Sequence, residues 1–382
     1  MNITHYIDEL LTQAIMIGAS DLHFEPAAGQ YRIRRRIDGI LQEVARPAFN
    51  LAAIITSRLK IMGNLNIAER RLPQDGRFSF TYQKRLIDCR VSTCPTVFGE
   101  KVVLRILDTS QMQRDIDSLG FEPRQLLQVQ SILQQSQGMI IVTGPTGSGK
   151  TVSLYALLAA LNHMDKNICT VEDPVEIQLP GLNQVNVHPK ACLEFATILR
   201  AFLRQDPDII MVGEIRDLET AEIAMQASQT GHLVLSTLHT NSAAHTLIRL
   251  KQMGIAAYTL AHSVSLIIAQ RLVRRLCSHC KTLIELPHHI VTEQGCLSPR
   301  VYIPRGCEQC FQGYKGRMAL FELLPLDNVV QEAILQNCAV NDLAILQSQL
   351  GFISLRKMGL NKVEMGETSL DEVNRVTGRI VK

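Results

Sequence analysis

The chain has 382 residues, which is more than one compact core usually holds, so we expect two domains. Hydrophobic residues make up 46% and charged residues 20%, a balance that excludes a collagen-like, low-complexity or broadly disordered protein. Lysine and arginine total 39 against 36 aspartate and glutamate, and this net charge of +3 gives no support to a dedicated nucleic-acid binder. With no tryptophan and 5% aromatic residues, the chain also offers few side chains that could stack on bases.

The first part of the chain alternates short helical and strand patterns. Apolar residues at helical spacing run over residues 3–17, and Gly18 ends this helix. Residues 22–41 alternate like a hairpin, with Asp38-Gly39 as the turn dipeptide. We therefore predict a small α+β domain over residues 1–108. Its remaining patterns are a helix at 51–62 and strands at 78–82, 86–91 and 102–107.

A polar, weakly patterned stretch at residues 109–122 is the predicted linker. Pro123 stands where the first turn of a helix tolerates proline, and from Gly138 onward strands, loops and helices alternate. This alternation is typical of a mostly parallel sheet, so we expect an α/β domain over residues 123–382. Its predicted buried strands are 139–143, 168–171, 208–212 and 232–237.

The most apolar long segment, residues 254–273, is broken by polar side chains such as His262 and Gln270. A membrane span needs about 20 predominantly apolar residues, so we expect a buried or intersubunit helix here. The first eleven residues carry charges where a secretory signal would be apolar. The part of the chain after about Leu326 is predicted to be helical.

A glycine-rich loop follows the predicted strand 139–143 and precedes a helical run at 152–161. It matches the phosphate-loop pattern G-x-x-x-x-G-K-[ST] without a gap. In such a loop successive backbone N–H groups point at phosphate oxygens, and the helix adds its positive N-terminus. Lys150 would reach the β- and γ-phosphates of a nucleotide, and the Thr151 hydroxyl would hold Mg²⁺. The residues of this predicted nucleotide site are Gly144, Pro145, Thr146, Gly147, Ser148, Gly149, Lys150 and Thr151.

Phosphoryl transfer to water needs a carboxylate close to the γ-phosphate, and two glutamates are candidates. Glu172 ends the predicted strand 168–171, and Glu214 follows the strand 208–212 after Gly213. Ligand sites of α/β proteins lie at such strand ends. The sequence leaves open which glutamate polarises water, and a single carboxylate in such a place is often only solvated or a helix cap.

Basic side chains flank this region in two places. Arg200 and Arg204 lie four residues apart, opposite the apolar face of a predicted helix, as on a solvated helix surface. His232 and His239 bracket the last predicted strand. A lone histidine is usually a satisfied core or surface residue, whereas two around one strand of a nucleotide-binding fold could contact phosphate.

Four of the ten cysteines form two C-x-x-C pairs. Two thiolates from each pair can close a tetrahedral Zn²⁺ site that leaves no position open for catalysis. We therefore predict a structural zinc site in an insertion at about residues 275–316, with disulfides or free thiols as alternatives. His279 lies inside the first pair, so a mixed ligand set is a second choice. The predicted ligands are Cys277, Cys280, Cys307 and Cys310.

Together these motifs resemble the ATPases of type II secretion and type IV pilus assembly, and the resemblance covers nearly the whole chain. The first part contributes Ala19-Ser20-Asp21-Leu22-His23-Phe24-Glu25-Pro26, Arg36-Ile37-Asp38-Gly39, Arg71-Leu72-Pro73-Gln74-Asp75-Gly76-Arg77, Arg90-Val91-Ser92 and Gly99-Glu100-Lys101-Val102-Val103-Leu104-Arg105. The second part contributes the phosphate loop, Gln205-Asp206-Pro207-Asp208, Gly213-Glu214-Ile215-Arg216-Asp217, the histidine segment and the four cysteines.

The resemblance implies a RecA-like ATPase domain behind the smaller α+β domain, in a homo-hexameric ring with ATP and Mg²⁺ bound between the two domains. It places Glu172 in the family's aspartate box, Glu214 in a variant Walker B motif, and both histidines in a histidine box. Arginines complete the family's site on closure, because a guanidinium brought to the γ-phosphate stabilises its charge. The matching positions are Arg90, Arg105, Arg200 and Arg204, and at the last two this role replaces the solvated-surface interpretation.

By the same resemblance, ATP hydrolysis would power assembly of a type IV pilus or a type II secretion pseudopilus. The motor would be cytoplasmic and bound to the inner membrane through a platform protein, with no nucleic acid as partner. The paired cysteines are typical of the assembly and secretion branch, because the retraction motors lack them. Assembly ATPases commonly carry a further N-terminal docking domain, whereas this chain begins almost directly at the Ala19 motif, so we expect different docking or a missing extension. The alternatives are a RecA-like nucleic-acid motor and a non-hydrolysing, ATP-binding scaffold of the same complex.

Overall fold

The structure is a computed structural model that describes residues 2–108, 115–296, 298–336 and 338–378. It divides into two compact units, Met1–Met112 and Gln113–Lys382, each with its own sheet and hydrophobic core. Six residues of the predicted linker, 109–114, lie outside the described residues. No helix in the described part of the chain is long and apolar enough to cross a membrane.

A six-stranded antiparallel sheet and two helices form the first unit. Its elements are α1 (Ile3–Met16), β1 (Asp21–Ala27), β2 (Gln30–Ile37), β3 (Ile40–Ala45), α2 (Ala52–Met62), β4 (Gln74–Tyr82), β5 (Arg85–Thr96) and β6 (Gly99–Leu107). The strands lie in the order β3-β2-β1-β6-β5-β4. Both helices contribute to the core on one face of this sheet.

The first strand shows why this sheet has one apolar and one charged face. Leu22 and Phe24 are buried in the core with residues of both helices. Because side chains alternate along a strand, Asp21, His23 and Glu25 lie on the other face. Their neighbours there include three arginines of β2, so this face carries charge of both signs.

Two hairpins replace the single one predicted over residues 22–41. β1 pairs with β2, and β2 pairs with β3 around Asp38-Gly39. Both turn residues have left-handed backbone, with φ of 49° and 85°, as the two-residue turn that joins right-twisted strands requires. The turn prediction is confirmed, and the extra hairpin lies N-terminal to it.

Among the described residues, the second unit holds a seven-stranded sheet and eleven α-helices. Its helices are α3 (Pro123–Leu133), α4 (Lys150–Leu161), α5 (Phe195–Phe202), α6 (Leu218–Gln229), α7 (Ala243–Gln252), α8 (Ala257–Ser263), α9 (His288–Gln294), α10 (Asn328–Leu335), α11 (Val340–Gln349), α12 (Leu355–Glu364) and α13 (Leu370–Thr377). Its strands are β7 (Gly138–Thr143), β8 (Ile168–Glu172), β9 (Leu182–Asn186), β10 (Ile209–Val212), β11 (Leu233–Leu238), β12 (Val264–Leu276), β13 (Thr282–Glu285), β14 (Arg300–Ile303) and β15 (Tyr314–Pro325).

The large sheet of the second unit is mostly parallel, as the sequence predicts. Its order is β15-β12-β7-β11-β10-β8-β9, and only β15 runs antiparallel to its neighbour. All residues of β7, β8, β10 and β11 are buried, which explains their continuous apolar runs. Because these strands are parallel, their carboxyl ends meet at one edge of the sheet, where the phosphate loop, Glu172 and Glu214 lie.

The prediction of one long helix over residues 254–273 is wrong. The segment holds the short helix α8, and then the 13-residue strand β12, which lies between β7 and β15. A continuous apolar run does not distinguish a buried helix from a buried strand, because both are covered on all sides. Val264, Ile267, Ile268 and Val273 are β-branched residues in this run, and they suit a strand.

Candidate active site

The phosphate loop lies between β7 and α4, at the centre of the sheet edge described above. Gly147 and Gly149 have left-handed backbone, with φ of 78° and 91°. A side chain at Gly149 would be strained by this backbone conformation, and its Cβ atom would come within 2.8 Å of Gln270 Nε2, so the Gln270 side chain would have to shift. α4 begins at Lys150, directly after this glycine. The loop therefore has both the conformation and the helix start that phosphate binding requires.

The ammonium group of Lys150 is held by neutral acceptors. Its Nζ donates to the carbonyl oxygens of Gly144 at 2.8 Å and Pro145 at 3.2 Å, and lies 3.5 Å from His239 Nδ1. Burial disfavours the charged form and lowers the pKa of Lys150 to about 8, although the charge of Glu214 opposes this shift. A bound phosphate would supply negative charge and restore the ordinary preference for the ammonium form.

Glu214 connects the phosphate loop to the ends of two neighbouring strands. Its Oε2 lies 3.4 Å from His239 Nε2, and its Oε1 accepts a short hydrogen bond from Arg216. Arg216 also reaches Asp173 at 3.4 Å, just after β8. Lys150, His239, Glu214, Arg216 and Asp173 thus form one continuous polar cluster along the sheet edge.

Glu172 occupies a different environment, although it too ends a strand. It is buried and accepts hydrogen bonds from Tyr155 at 2.5 Å, Thr170 at 2.8 Å and Gln184 at 3.1 Å. The Tyr155 hydroxyl in turn accepts the backbone N–H groups of Glu176 and Ile177. Burial, and then the bond to Glu172, raises the pKa of Tyr155. Since its oxygens are already engaged, Glu172 holds this loop in place, and the geometry favours Glu214 as the group that faces the phosphates.

The structure separates the two histidines. β11 runs between them for six residues, so His232 and His239 lie roughly 20 Å apart at about 3.3 Å per residue. Only His239 is at the phosphate-loop edge. His232 Nδ1 lies 3.0 Å from the carbonyl oxygen of Ala227 and thus belongs to the opposite end of the strand. The two histidines therefore do not contact one phosphate within a single chain.

Arg200 and Arg204 are exposed on and just after α5. Arg200 donates to Glu219 of α6 at 2.6 Å, and Arg204 donates to the carbonyl oxygen of Arg200 at 2.9 Å. Both contacts are typical of a solvated surface, where ion pairs contribute little to stability. Arg200 thus has an acidic partner on the same surface, whereas Arg204 donates to a neutral carbonyl oxygen.

Arg90 and Arg105 belong to the first unit, where they face each other across β5 and β6. Arg77 on β4 faces Arg90 in the same way, so three arginines form a row across adjacent strands. The row lines a cavity of about 400 Å³. Like charges directly opposite on neighbouring strands are unfavourable, and the ion pair of Arg105 with Asp21 at 3.1 Å offsets one of them. Such a row is suited to an anionic partner, and its member Arg77, which belongs to a motif of the family resemblance, is not among the predicted site residues.

Two other residues that order the site gave no usable signal in the sequence. Tyr155 has the spacing of an ordinary apolar residue in α4, although its hydroxyl is what anchors Glu172. Thr240 bonds Thr143 through both its backbone N–H, at 3.0 Å, and its hydroxyl, at 2.7 Å. This pair ties the end of β11 to the end of β7, where the phosphate loop begins.

The four paired cysteines form one cluster, with all Sγ atoms within 4.8 Å of one another. The closest Sγ–Sγ distances are 3.6 Å and 3.9 Å, far longer than the roughly 2.05 Å of a disulfide bond. A tetrahedral ion with metal–sulfur bonds of about 2.3 Å would place the sulfurs roughly 3.8 Å apart. Backbone N–H groups of Gly306 and Cys307 donate to Cys280 and Cys310 at 3.3 Å, which favours thiolates. The cluster can hold a metal ion, and in the described part of the chain it includes no histidine.

Comparisons with known proteins agree with this geometry. A family model described as "Type II/IV secretion system protein" matches residues 1–375. The "Type IV pilus assembly ATPase PilB" of Acinetobacter baylyi is 53% identical over 98% of this chain, and that of Pseudomonas aeruginosa is 54% identical over 98%. The chain spans 66% and 67% of their respective lengths. The "Type II secretion system protein E" of Klebsiella pneumoniae is 47% identical, over 98% of this chain and 76% of its own length.

Two solved structures share the fold. The pilus retraction motor PilT, crystallised with bound ADP, has a TM-score of 0.64 and 25% identity, over 97% of this chain and 96% of its own. The ATPase DotB of Legionella pneumophila has a TM-score of 0.71 and 21% identity, over 97% and 95% of the two chains. Since the family model and these relatives match nearly its whole length, the chain belongs to the family of type II/IV secretion system proteins.

Proposed function

We propose that this chain hydrolyses ATP to ADP and phosphate and uses the energy to assemble a pilus-like fibre. The observation that carries the proposal is the cluster in which Lys150 of the phosphate loop meets His239, and His239 meets Glu214. Relatives with this function in their names match 98% of the chain. ATP would bind through the backbone N–H groups of the loop and Lys150, with Mg²⁺ held by Thr151.

Glu214 is the proposed water-positioning group. Its carboxylate is paired with Arg216, so activation of water requires that this pair loosen when nucleotide binds. On this proposal Arg90 and Arg105, with Arg200 and Arg204, act on the nucleotide's charge when a ring of six copies closes. Because they would act mainly in the closed state, nucleotide binding and hydrolysis become motion of the ring.

Pilus assembly is the proposed output, because two relatives named for it are 53% and 54% identical, against 47% for the secretion relative described above. A type II secretion pseudopilus is a closely similar fibre and remains the second candidate. The proposed partners are other copies of the chain and a platform protein in the inner membrane, reached from the cytoplasmic face. The cysteine pairs favour the assembly branch over retraction.

We also propose that the cysteine cluster holds Zn²⁺ as a structural ion. Four thiolates close the tetrahedral coordination that zinc prefers, so no position is left for water or substrate. The cluster connects the end of β12 to the start of β15, on either side of the β13–β14 ribbon. Zinc would therefore fix the base of this ribbon and take no part in hydrolysis.

The first test measures ATP hydrolysis per subunit across a range of protein concentrations. Because each site would need support from neighbouring copies, the rate should rise steeply with concentration and then level off. Arg105→Ala should lower the plateau at least tenfold, while Arg46→Ala, at an exposed arginine paired with Glu43, should not. ATP binding without any concentration-dependent turnover would support the scaffold, and stimulation by DNA would support the nucleic-acid motor.

A second test uses the lowered pKa of Lys150. Since that pKa is about 8 and a bound phosphate should raise it, nucleotide binding at pH 8 should take up about half a proton per site. Affinity should accordingly fall as the pH rises from 7.5 to 9. Calorimetry in buffers of different ionisation enthalpy measures this uptake, and Lys166→Arg, at an exposed lysine, should preserve it. Zero uptake at pH 8 would show that Lys150 is fully protonated without nucleotide.

A third test addresses the metal. The purified chain should contain about one zinc ion, and Cys307→Ser should lower both the zinc content and the melting temperature, the latter by several degrees. Cys192→Ser, at another exposed cysteine, is the matched control and should change neither. Equal zinc contents in the two variants would contradict the assignment of the cluster.

A further inference from the structure

A second cationic cavity lies beside the phosphate loop, within the second unit. Its volume is about 610 Å³, which is in the range of small-molecule sites. The cavity begins at Pro145 of the loop and extends to the C-terminal helices. Three arginines contribute to its walls, namely Arg271 of β12, Arg356 of α12 and Arg375 of α13.

Arg271 is a buried cation whose hydrogen-bond acceptors among the described residues are all neutral. It is 7% exposed, and its guanidinium donates to the carbonyl oxygen of Gln270 at 2.9 Å and to that of Asn241 at 2.7 Å. Burial lowers the pKa of Arg271, although it is opposed by the charge of Glu322. A guanidinium removed from water with neutral acceptors alone keeps most of its desolvation cost.

Arg356 lies on the opposite wall of the cavity, and its hydrogen-bond acceptors are likewise neutral. One of its terminal nitrogens donates to Asn374, Thr377 and Gly378, and the other donates to Gln294. None of these acceptors is charged. Its Nε atom is buried and has no hydrogen-bond partner among the described residues. Burial lowers the pKa of Arg356 as well.

The other charges around the cavity leave a positive excess. Arg375 forms a two-pronged pair with Glu372 at 2.8 and 2.9 Å, and Glu372 also pairs with Arg274 at 2.7 Å, so one carboxylate serves two arginines. Glu322 is the acidic residue of the wall, and it accepts the backbone N–H groups of Ala243 at 2.9 Å and Leu355 at 3.1 Å. One carboxylate thus faces two unmatched arginines and the first turns of α7 and α12. Both helix starts add partial positive charge to the same space.

We propose that this cavity binds a phosphate-type oxyanion between Arg271 and Arg356, at a site separate from the phosphate loop. A tetrahedral oxyanion would give the two guanidinium groups a negatively charged partner, and its several oxygens can accept hydrogen bonds from both. The serine hydroxyls at the starts of the two helices, Ser242 and Ser354, also line the cavity and can donate.

The position of the cavity suggests where the oxyanion comes from. Residues 239–242 connect the two sites, since His239 touches Lys150 at one end and the Asn241 carbonyl oxygen binds Arg271 at the other. If the proposed ATP hydrolysis holds, the γ-phosphate is released a few residues from this cavity, and inorganic phosphate is the candidate ligand. A phosphate group of a second nucleotide has the same chemistry, and the experiment must separate the two sources.

The test titrates inorganic phosphate into the full chain that has been saturated with ADP and Mg²⁺, so that the α- and β-phosphate positions of the loop are filled, and the variants below separate the cavity from the open γ-phosphate position. Calorimetry should detect one phosphate per chain. Arg356→Gln should weaken phosphate binding at least tenfold, which equals about 1.4 kcal/mol. Arg300→Gln, at an exposed arginine of β14, is the matched control and should stay within twofold. Arg271→Gln is a second variant for the opposite wall, checked for folding by its melting temperature.

Each outcome bears on the site. The proposed site is overturned if the ADP-saturated wild-type chain binds no phosphate. It is also overturned if Arg356→Gln binds phosphate with the affinity of the wild-type chain. If ADP added beyond the first equivalent displaces phosphate increasingly as the ADP concentration rises, the cavity binds a phosphate group of a nucleotide. If phosphate binds as expected in a chain that shows no ATP hydrolysis, the oxyanion site stands, and only its role as a product site falls.

Discussion

The buried ammonium group of Lys150 sets the main constraint on the second unit, because a charge in that position needs acceptors from several directions. The parallel sheet supplies them at one edge. β7 leads into the loop whose carbonyl oxygens accept from Lys150, and β11 ends at His239. β10 ends just before Glu214, whose charge acts on the same lysine. Were the strands antiparallel, their carboxyl ends would alternate between two edges, and this cluster could not form.

The same edge gives two glutamates different tasks. The carboxylate oxygens of Glu172 accept hydrogen bonds from Tyr155, Thr170 and Gln184, and Glu172 therefore orders the loop after β8. Glu214 contacts the partly exposed side chains of His239 and Arg216, and on the proposed function these contacts rearrange when a phosphate binds. The difference arises from burial and from what surrounds each carboxylate, since both are glutamates at the ends of neighbouring strands.

Local motifs could be predicted from the sequence because their residues are close along the chain. The phosphate loop and the Asp38-Gly39 turn depend on glycine at fixed offsets, and the two C-x-x-C pairs have spacing typical of a metal clip. The sequence could not show that β12 is a strand and not a helix, because full burial removes the periodicity that distinguishes the two. The separation of His232 from His239, by contrast, already follows from the predicted strand between them, because extended chain rises about 3.3 Å per residue.

Long-range contacts explain the remaining failures. The bond from Tyr155 to Glu172 joins residues 17 apart, and the row of Arg77, Arg90 and Arg105 depends on the register of three strands. Register is set by the packing of whole strands, so no short motif encodes it. The resemblance to a known family supplied Arg90 and Arg105, whereas periodicity alone would have assigned them to a solvated strand face.

We propose that Glu214, and not Glu172, faces the reacting phosphate. Single-turnover hydrolysis of pre-bound ATP measures the chemical step directly, and ATP affinity is determined on the same samples. We predict that Glu214→Gln slows this step at least about 100-fold with ATP affinity changed only a few-fold, and that Glu172→Gln slows it less. Glu222→Gln, at another exposed glutamate of α6, should leave the step unchanged. A larger loss of the chemical step in Glu172→Gln than in Glu214→Gln would contradict the account.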